Sequence, residues 1–316
     1  LVGGKAGAIE EYRTATVALQ YALVRPEYAD EIVATPPDRA HPDPSLNCRT
    51  CALAACPEGA RGFSLRAMNK GDALATIAVY SLKGGVGKTT FAVNLAWAAH
   101  TNSARRTLLW DLDPQAAATW MLSAQPSGRD EAQAIFSRDV DVSTLIRPST
   151  VPGIDLIAAD TSLRGLDRLF FELGKKKRLA RLIEGLGKDY DRIILDCPPG
   201  LTETSEQVLR AADVIVVPVI PSPLSQRALG EVARYLMQRG DKHPPILPVY
   251  SMVDRRRSLH RKALEENPLW PVVPMASAVE QMSSRRKPLG EFAGTTPAAK
   301  EFSRLLQAIE KKLAKR

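Results

Sequence analysis

The feature that most constrains this chain is a strand, a glycine-rich turn and a helix start in direct succession. Thr76 to Ser81 is an apolar, partly β-branched run that reads as a strand. From Lys88 onward the chain reads as a helix, with Ala92, Val93, Leu95, Ala96 and Ala99 on one face. Between them lies Leu82-Lys83-Gly84-Gly85-Val86-Gly87-Lys88-Thr89-Thr90. The glycines let the backbone turn tightly and come close to a ligand. The amides of the loop and of the first helical turn then point into one concavity. A helix N-terminus carries about half a positive charge, so the segment is a ready anion site.

The same alternation continues downstream. Short apolar runs occur at Thr107 to Asp111, Ile154 to Ala158, Arg192 to Asp196, Val214 to Val219, Ile246 to Val253 and Pro271 to Val273. They are nearly continuous rather than alternating, which suits strands buried on both faces. Helix-length segments separate them, including Lys88 to His100, Ser205 to Ala211 and Ser225 to Gln238. This order predicts an α/β fold, a mostly parallel twisted sheet with helices on both faces. It begins near Ala75. Residues 1–74 read as a separate, irregular N-terminal extension: a helix from Glu10 to about Leu23, a proline-rich linker from Ala34 to Pro44, then three cysteines. Residues 75–316 read as the ordered domain.

Composition excludes some classes. No apolar run approaches the roughly 20 residues of a membrane-spanning helix. Leu1-Val2-Gly3-Gly4-Lys5 does not lead into an apolar export core, so a cytoplasmic protein whose cysteines are reduced thiols or metal ligands is expected. Lys and Arg exceed Asp and Glu by 43 to 35, a net charge of +8, which permits a polyanionic partner.

In this strand–turn–helix setting Lys88 would neutralise the β- and γ-phosphates of a nucleotide, and Thr89 would offer its hydroxyl to Mg²⁺. A generic phosphate loop places glycine at position 82, where this chain has leucine, and here a second lysine, Lys83, opens the glycine run. Lys-Gly-Gly-x-Gly-Lys-Thr resembles the deviant Walker A motif of the ParA/MinD group of P-loop ATPases. The resemblance implies nucleotide contacts from Lys83, Gly84, Gly85, Val86, Gly87, Lys88, Thr89 and Thr90. It further implies that Lys83 reaches the phosphates of the other subunit in an ATP-sandwiched homodimer, and that Lys83 and Lys88 both serve phosphoryl transfer.

Two carboxylate-bearing strand ends fit the same site, because ligands in open α/β sheets bind beyond the carboxyl ends of strands. Asp111-Leu112-Asp113-Pro114-Gln115 is similar to the family's first switch. It implies that Asp113 orients the attacking water and approaches Mg²⁺, with Asp111 supporting the loop. Asp113 before Pro114 is also a favourable helix N-cap pair. Arg192 to Asp196 is a buried strand ending in Asp, a Walker B pattern that places Asp196 in the Mg²⁺ shell. Cys197-Pro198-Pro199-Gly200 resembles the second switch, with Cys197 structural. Met252 and Pro274 fall where the family carries nucleotide-flanking loops.

Basic runs follow. Arg255, Arg256 and Arg257 form one cluster, Arg285 and Arg286 another, and Arg239 flanks the helix before the first. Lys and Arg on a shared face are enough for salt-sensitive, sequence-indifferent phosphate contacts. The family places DNA-binding arginines in matching positions, Arg256 being the best aligned. The C-terminal stripe Phe302, Leu305, Leu306, Ile309 and Leu313 reads as a helix face packed on the sheet. A terminal helix that binds membrane belongs to the MinD branch.

His41, Cys48, Cys51 and Cys56 have a spacing open to three readings: free thiols, a tetrahedral Zn²⁺ site, or iron–sulfur ligation. The resemblance is silent about them. The resemblance implies as the function a plasmid- or chromosome-partition or positioning ATPase, nucleoid-associated and using ATP and Mg²⁺. It would dimerise on ATP, bind non-specific DNA, and hydrolyse ATP when a ParB-like or cargo adaptor stimulates it. A membrane-associated MinD-like ATPase and an iron-protein-like ATPase with a metal cluster are the alternatives.

Overall fold

The computed structural model describes residues 73–123, 132–137, 141–174, 177–238 and 243–314. The proposed helix near the N-terminus, the proline-rich linker, the site at His41, Cys48, Cys51 and Cys56, and Arg239 all lie outside the described residues.

Eight strands form one sheet in the order β3-β4-β2-β5-β1-β6-β7-β8. In chain order they are β1 (Ala75–Val79), β2 (Thr107–Asp111), β3 (Ile146–Pro148), β4 (Ile154–Ile157), β5 (Arg192–Asp196), β6 (Val214–Val219), β7 (Ile246–Val253) and β8 (Val272–Pro274). All pairings are parallel except β3 with β4. β1, β2, β5 and β6 are buried at every residue. That is why their sequences lack polar alternation. Successive side chains go to opposite faces. Thus Ala78, Tyr80, Leu108 and Trp110 enter one core cluster, and Ile77, Val79 and Leu109 the other.

The expected strands are found with small shifts: β1 stops at Val79 rather than Ser81, β4 at Ile157 rather than Ala158, and β8 starts at Val272 rather than Pro271. β3 is an addition that sequence patterning missed. It is a three-residue antiparallel edge strand, half-exposed to exposed, and its Pro148 is tolerated because an edge strand need not donate every amide.

The central helix α1 (Lys88–Ser103) is buried on nearly every side, from Phe91 through Ala99. After it come two short helices, α2 (Ala117–Leu122) and α3 (Ala134–Ser137), then α4 (Leu166–Leu173) and α5 (Arg178–Gly185). α6 (Glu203–Ala211) starts two residues before the expected Ser205, because the Thr202 side chain and Ser205 form a capping box. α7 (Pro223–Met237) likewise starts earlier, with Ser222 as cap and Pro223 in its first turn. α8 (Ser258–Glu266), α9 (Ser277–Arg285), α10 (Leu289–Ala293) and α11 (Pro297–Leu313) complete the described chain.

α11 packs as expected. Phe302, Leu305, Leu306 and Ile309 are buried in the same cluster as α1, and Phe302 meets Phe91 edge-on at 5.0 Å between ring centres. The helix is further tied down by Glu310, which accepts from Arg192 Nε and Nη2 at 2.7 and 2.6 Å. Its apolar stripe is thus in the core. No helix among the described residues is long and apolar enough to cross a membrane.

Candidate active site

The glycine-rich loop leaves β1 and enters α1 through two left-handed residues, Gly85 at φ 70° and Gly87 at φ 96°. Side chains are strained there, which explains glycine at both. α1 starts with no side-chain cap and no acidic residue in its first turn. Its N-terminal amides and dipole are therefore unopposed by any local carboxylate cap. The loop is pinned from behind: Ser251 Oγ, at the end of β7, donates to the Val86 carbonyl at 2.8 Å. Lys88 is 7% exposed and its ammonium donates to the Lys83 carbonyl at 3.4 Å. Burial pulls its pKa below the ordinary lysine value, against the opposing pull of Asp196 and Asp113. Lys83 is placed differently, with its ammonium donating to Ser225 Oγ in the first turn of α7 at 3.3 Å.

The carboxylates arrive through strand register. Asp111 and Asp196 are partners across the β2–β5 pair, and Val79 of β1 is the partner of Asp196 on its other side. All three strands therefore end level with the loop. Asp111 is fully buried and committed internally. Its Oδ2 accepts from Thr119 N at 2.9 Å and Thr119 Oγ1 at 2.8 Å, and its Oδ1 accepts from Asp113 N at 3.1 Å. Burial pushes its pKa up to about 6, with the Thr119 bonds opposing. This matches its expected role as loop support.

Asp113 is not the helix N-cap that its neighbour Pro114 suggests. Its carboxylate accepts from Gln115 N at 2.9 Å within a turn, and α2 begins only at Ala117, after Ala116 at φ 54°. The carboxylate closes that turn.

Asp196 is the exceptional residue. It is fully buried, and among the described residues neither carboxylate oxygen makes a well-formed hydrogen bond, the Thr89 hydroxyl alone standing as a weak donor. Burial raises its pKa well above the carboxylate range. The Asp111 charge adds to the rise, and the Thr89 hydroxyl and the Lys88 ammonium oppose it. An ionised, unpaired buried carboxylate is costly. A divalent cation beside Thr89 would supply the missing partner, so the residues present fit Mg²⁺.

The turn after β5 is held by residues that the motif reading did not single out. Tyr80 Oη donates to the Gly200 carbonyl at 2.8 Å, and Gly200 stands at φ 97°. Cys197 is fully buried, its thiol 3.5 Å from the Leu195 carbonyl, as a structural cysteine should be. Tyr80 and Ser251 were missed because each acts through a contact remote in sequence, and Thr119 because nothing in its surroundings marks its bonds to Asp111 eight residues earlier. Only Tyr80's position at the end of a motif strand hinted at a role.

On the far side of the loop, Met252 adopts φ 56° at the end of β7 and is 36% exposed. Its Cε is 3.7 Å from where a Cβ on Gly87 would lie. Pro274 ends β8 as the register partner of Val253. Both residues thus sit at the sheet end that carries the loop.

A family model described as an AAA domain matches residues 74–244, just over half of the chain. The chromosome partitioning protein ParA of Caulobacter vibrioides is 30% identical over 204 residues, which are 61% of this chain and 75% of that protein. The chain belongs to the ParA/MinD group of P-loop ATPases. Among the group, the sporulation initiation inhibitor protein Soj of Bacillus subtilis is 39% identical over 147 residues. That match spans 45% of this chain and 57% of Soj. An ATP complex of Cyanothece McdA shares the fold, with a TM-score of 0.65 at 20% identity, covering 75% of this chain and 96% of that one.

The arginine clusters lie apart from the buried acids. Arg255, Arg256 and Arg257 occupy the loop from β7 to α8, all exposed. Arg256 is 91% exposed at its side chain and pairs with Asp254, Nε to Oδ1 at 2.9 Å and Nη2 to Oδ2 at 3.1 Å. Arg285 lies 4.9 Å from the centre of the Phe292 ring. Arg286 has structural work: its guanidinium stacks 4.7 Å from the Trp120 ring centre and donates to the Trp120 carbonyl at 2.8 Å and to the Ser123 carbonyl. It therefore closes the C-terminal end of α2.

Proposed function

We propose that this chain is an ATP-dependent partition or positioning ATPase. It binds ATP with Mg²⁺, dimerises around the nucleotide, holds non-specific DNA, and hydrolyses ATP when a partner protein stimulates it. The observation that carries the ATPase chemistry is Asp196: a buried carboxylate with no well-formed hydrogen bond among the described residues, level with Asp111 and facing Lys88 and Thr89. In this reading Lys88 and the loop amides neutralise the phosphates, while Thr89, Asp196 and Asp113 hold the metal environment. When bound, the metal lowers the charge that builds on the phosphoryl oxygens.

Asp113 orients the attacking water, and its short turn, fixed through Asp111 and Thr119, supports that role. Lys83 leaves Ser225 and reaches the partner subunit's phosphates in the dimer. With much of the chemistry resting on positioning, hydrolysis by the isolated chain is weak. Met252 and Pro274 flank the nucleotide at the end of β7 and β8.

The DNA reading rests on the three exposed arginines of the β7–α8 loop, with Arg285 in support. Arg286 contributes mainly by holding α2, given its bonds to the Trp120 and Ser123 carbonyls. The terminal stripe of α11 is occupied in the core, so the MinD-like membrane reading gains no support from it.

The deciding experiment is binding of the full chain to duplex DNA of arbitrary sequence, with ATP, ADP or no nucleotide, at two salt concentrations. Tight, salt-sensitive binding with ATP alone is expected. Absence of binding under every condition would remove DNA from the function and leave the ATPase reading intact.

A further inference from the structure

The β7–α8 loop is unusually well tied for an exposed charged turn. Asp254 is its hub, with a side chain only 13% exposed. Its backbone amide donates to Nδ1 of the buried His260 at 3.0 Å. Its Oδ1 accepts both Arg256 N at 3.0 Å and Arg256 Nε at 2.9 Å, and its Oδ2 accepts Arg256 Nη2 at 3.1 Å. Arg257 N donates to the Asp254 carbonyl at 3.1 Å, closing the turn. From α8, Arg261 Nη1 donates to the carbonyls of Arg255 and Arg256 at 3.2 and 3.0 Å. The loop is therefore held at its start, through its acid and along its backbone.

A guanidinium offers two bidentate edges: a side-on edge of Nε and one Nη, and an end-on edge of the two Nη groups. Asp254 occupies the side-on edge of Arg256. Nη1 makes no hydrogen bond to a described residue, and the side chain is 91% exposed. The end-on edge is therefore presented to solvent in a fixed orientation. Ordering a long side chain in advance removes an entropy cost from binding.

We infer that Asp254 is a positioning residue of the polyanion surface, gripping the side-on edge of Arg256 so that its end-on edge meets a phosphodiester, with His260 and Arg261 holding the loop that carries the pair. The inference rests on the DNA-binding reading above and adds a residue of the wrong charge to that surface. Simple electrostatics makes the opposite forecast, since removing a carboxylate from a basic patch strengthens attraction to DNA.

The test uses the full chain with Mg²⁺ and ATP and a labelled duplex of arbitrary sequence. Asp254→Ala and Asp254→Asn are compared with the unmodified chain, alone and combined with Arg256→Ala. Asn keeps the shape and one acceptor but turns a donor toward Nη2, so it serves should the Ala variant disturb the loop. Both single variants are expected to lose about 3- to 10-fold in affinity. In the Arg256→Ala background the same changes are expected to cause no loss. Equal or tighter binding by both single variants, while the unmodified chain binds DNA, would overturn the positioning role and leave the DNA reading standing. An Arg256→Ala chain that binds as well as the unmodified one would also overturn it. No binding by the unmodified chain would remove the DNA reading itself and this inference with it.

Discussion

Two groups of strand ends in the one sheet carry charge in this molecule, and they do it in opposite ways. At the ends of β1, β2 and β5, Lys88, Asp111 and Asp196 are buried, and their protonation equilibria are displaced by loss of water. At the end of β7, Arg255, Arg256 and Arg257 stand in solvent around one carboxylate. Buried charges interact strongly and individually, because little water screens them. Exposed charges are screened and act mainly as a sum. The first region suits a compact ligand such as a nucleotide with its metal. The second suits an extended polyanion that takes several weak contacts at once. Ser251 links them, since it belongs to β7 yet donates to the Val86 carbonyl of the phosphate loop.

The sharpest way to break the comparison is Lys88→Ala. A single buried charge should matter most, so ATP turnover is expected to fall roughly 10²- to 10³-fold in a steady-state phosphate-release assay. A change under tenfold would mean that Lys88 is not the phosphate partner.

Next comes the exposed loop. Replacing Arg255, Arg256 and Arg257 together by Ala is expected to lower DNA affinity about 10²-fold near physiological salt, and to reduce the slope of log affinity against log salt by about 3. Here the sum is what counts, and ATP binding by the same variant should change far less than DNA binding.

A third test uses pH without nucleotide. Asp111 and Asp196 hold their protons in the folded chain well above the ordinary carboxylate value of 3.8, Asp111 to about 6. Between those values the folded chain binds more protons than the unfolded one. The contribution of Asp111 to stability is therefore fully present below about 4 and is lost as pH rises through about 6, and that of Asp196 changes in the same direction. Thermal midpoints of the chain without nucleotide should fall by a few degrees over that window. The decline should shrink in Asp196→Asn and with saturating Mg²⁺ and ATP. The exposed pair at Asp254 has the reverse sign: the Arg256 side-chain bond lowers its pKa to about 2, so its contribution is present above 3.8 and lost only as pH falls toward 2. An unchanged decline in Asp196→Asn would mean that this carboxylate is not the protonating group.

The smallest expected effect is at the link. Ser251→Ala removes one neutral hydrogen bond and leaves the Val86 carbonyl unsatisfied, a loss of about 1 kcal/mol in chemical unfolding. ATP affinity should weaken only a few-fold, measured by titration calorimetry. A larger loss would show that β7 shapes the phosphate loop rather than merely supporting it.

Much of this architecture was legible in the chain. The buried strands announced themselves because both faces are covered, which forces nearly unbroken apolar runs such as Val214 to Val219. The loop announced itself because Gly85 and Gly87 occupy left-handed backbone that other residues resist. β3 was not legible, since a three-residue edge strand with exposed residues has no pattern to betray it. Nor was the turn at Asp113, where the sequence Asp-Pro favours a cap but the carboxylate is drawn to Gln115 N before any helix begins. Arg286 read as one more member of a basic run, yet it closes α2, which precedes it by more than 160 residues.

What the sequence determined on its own is the local chemistry: a phosphate loop, two acid-ending strands and a run of arginines, each fixed by backbone conformation or by the side chain's own charge. What only the tertiary structure decided is the assignment of partners. Asp111 is satisfied by Thr119, whereas Asp196 has no well-formed hydrogen bond among the described residues, although both end buried strands in the same way. Arg256 is aimed outward by Asp254, and Arg286 is turned inward to α2. The reason is physical. A charge carries its own sign in any sequence, but its energy depends on which groups and how much water surround it, and those are set only when distant segments meet.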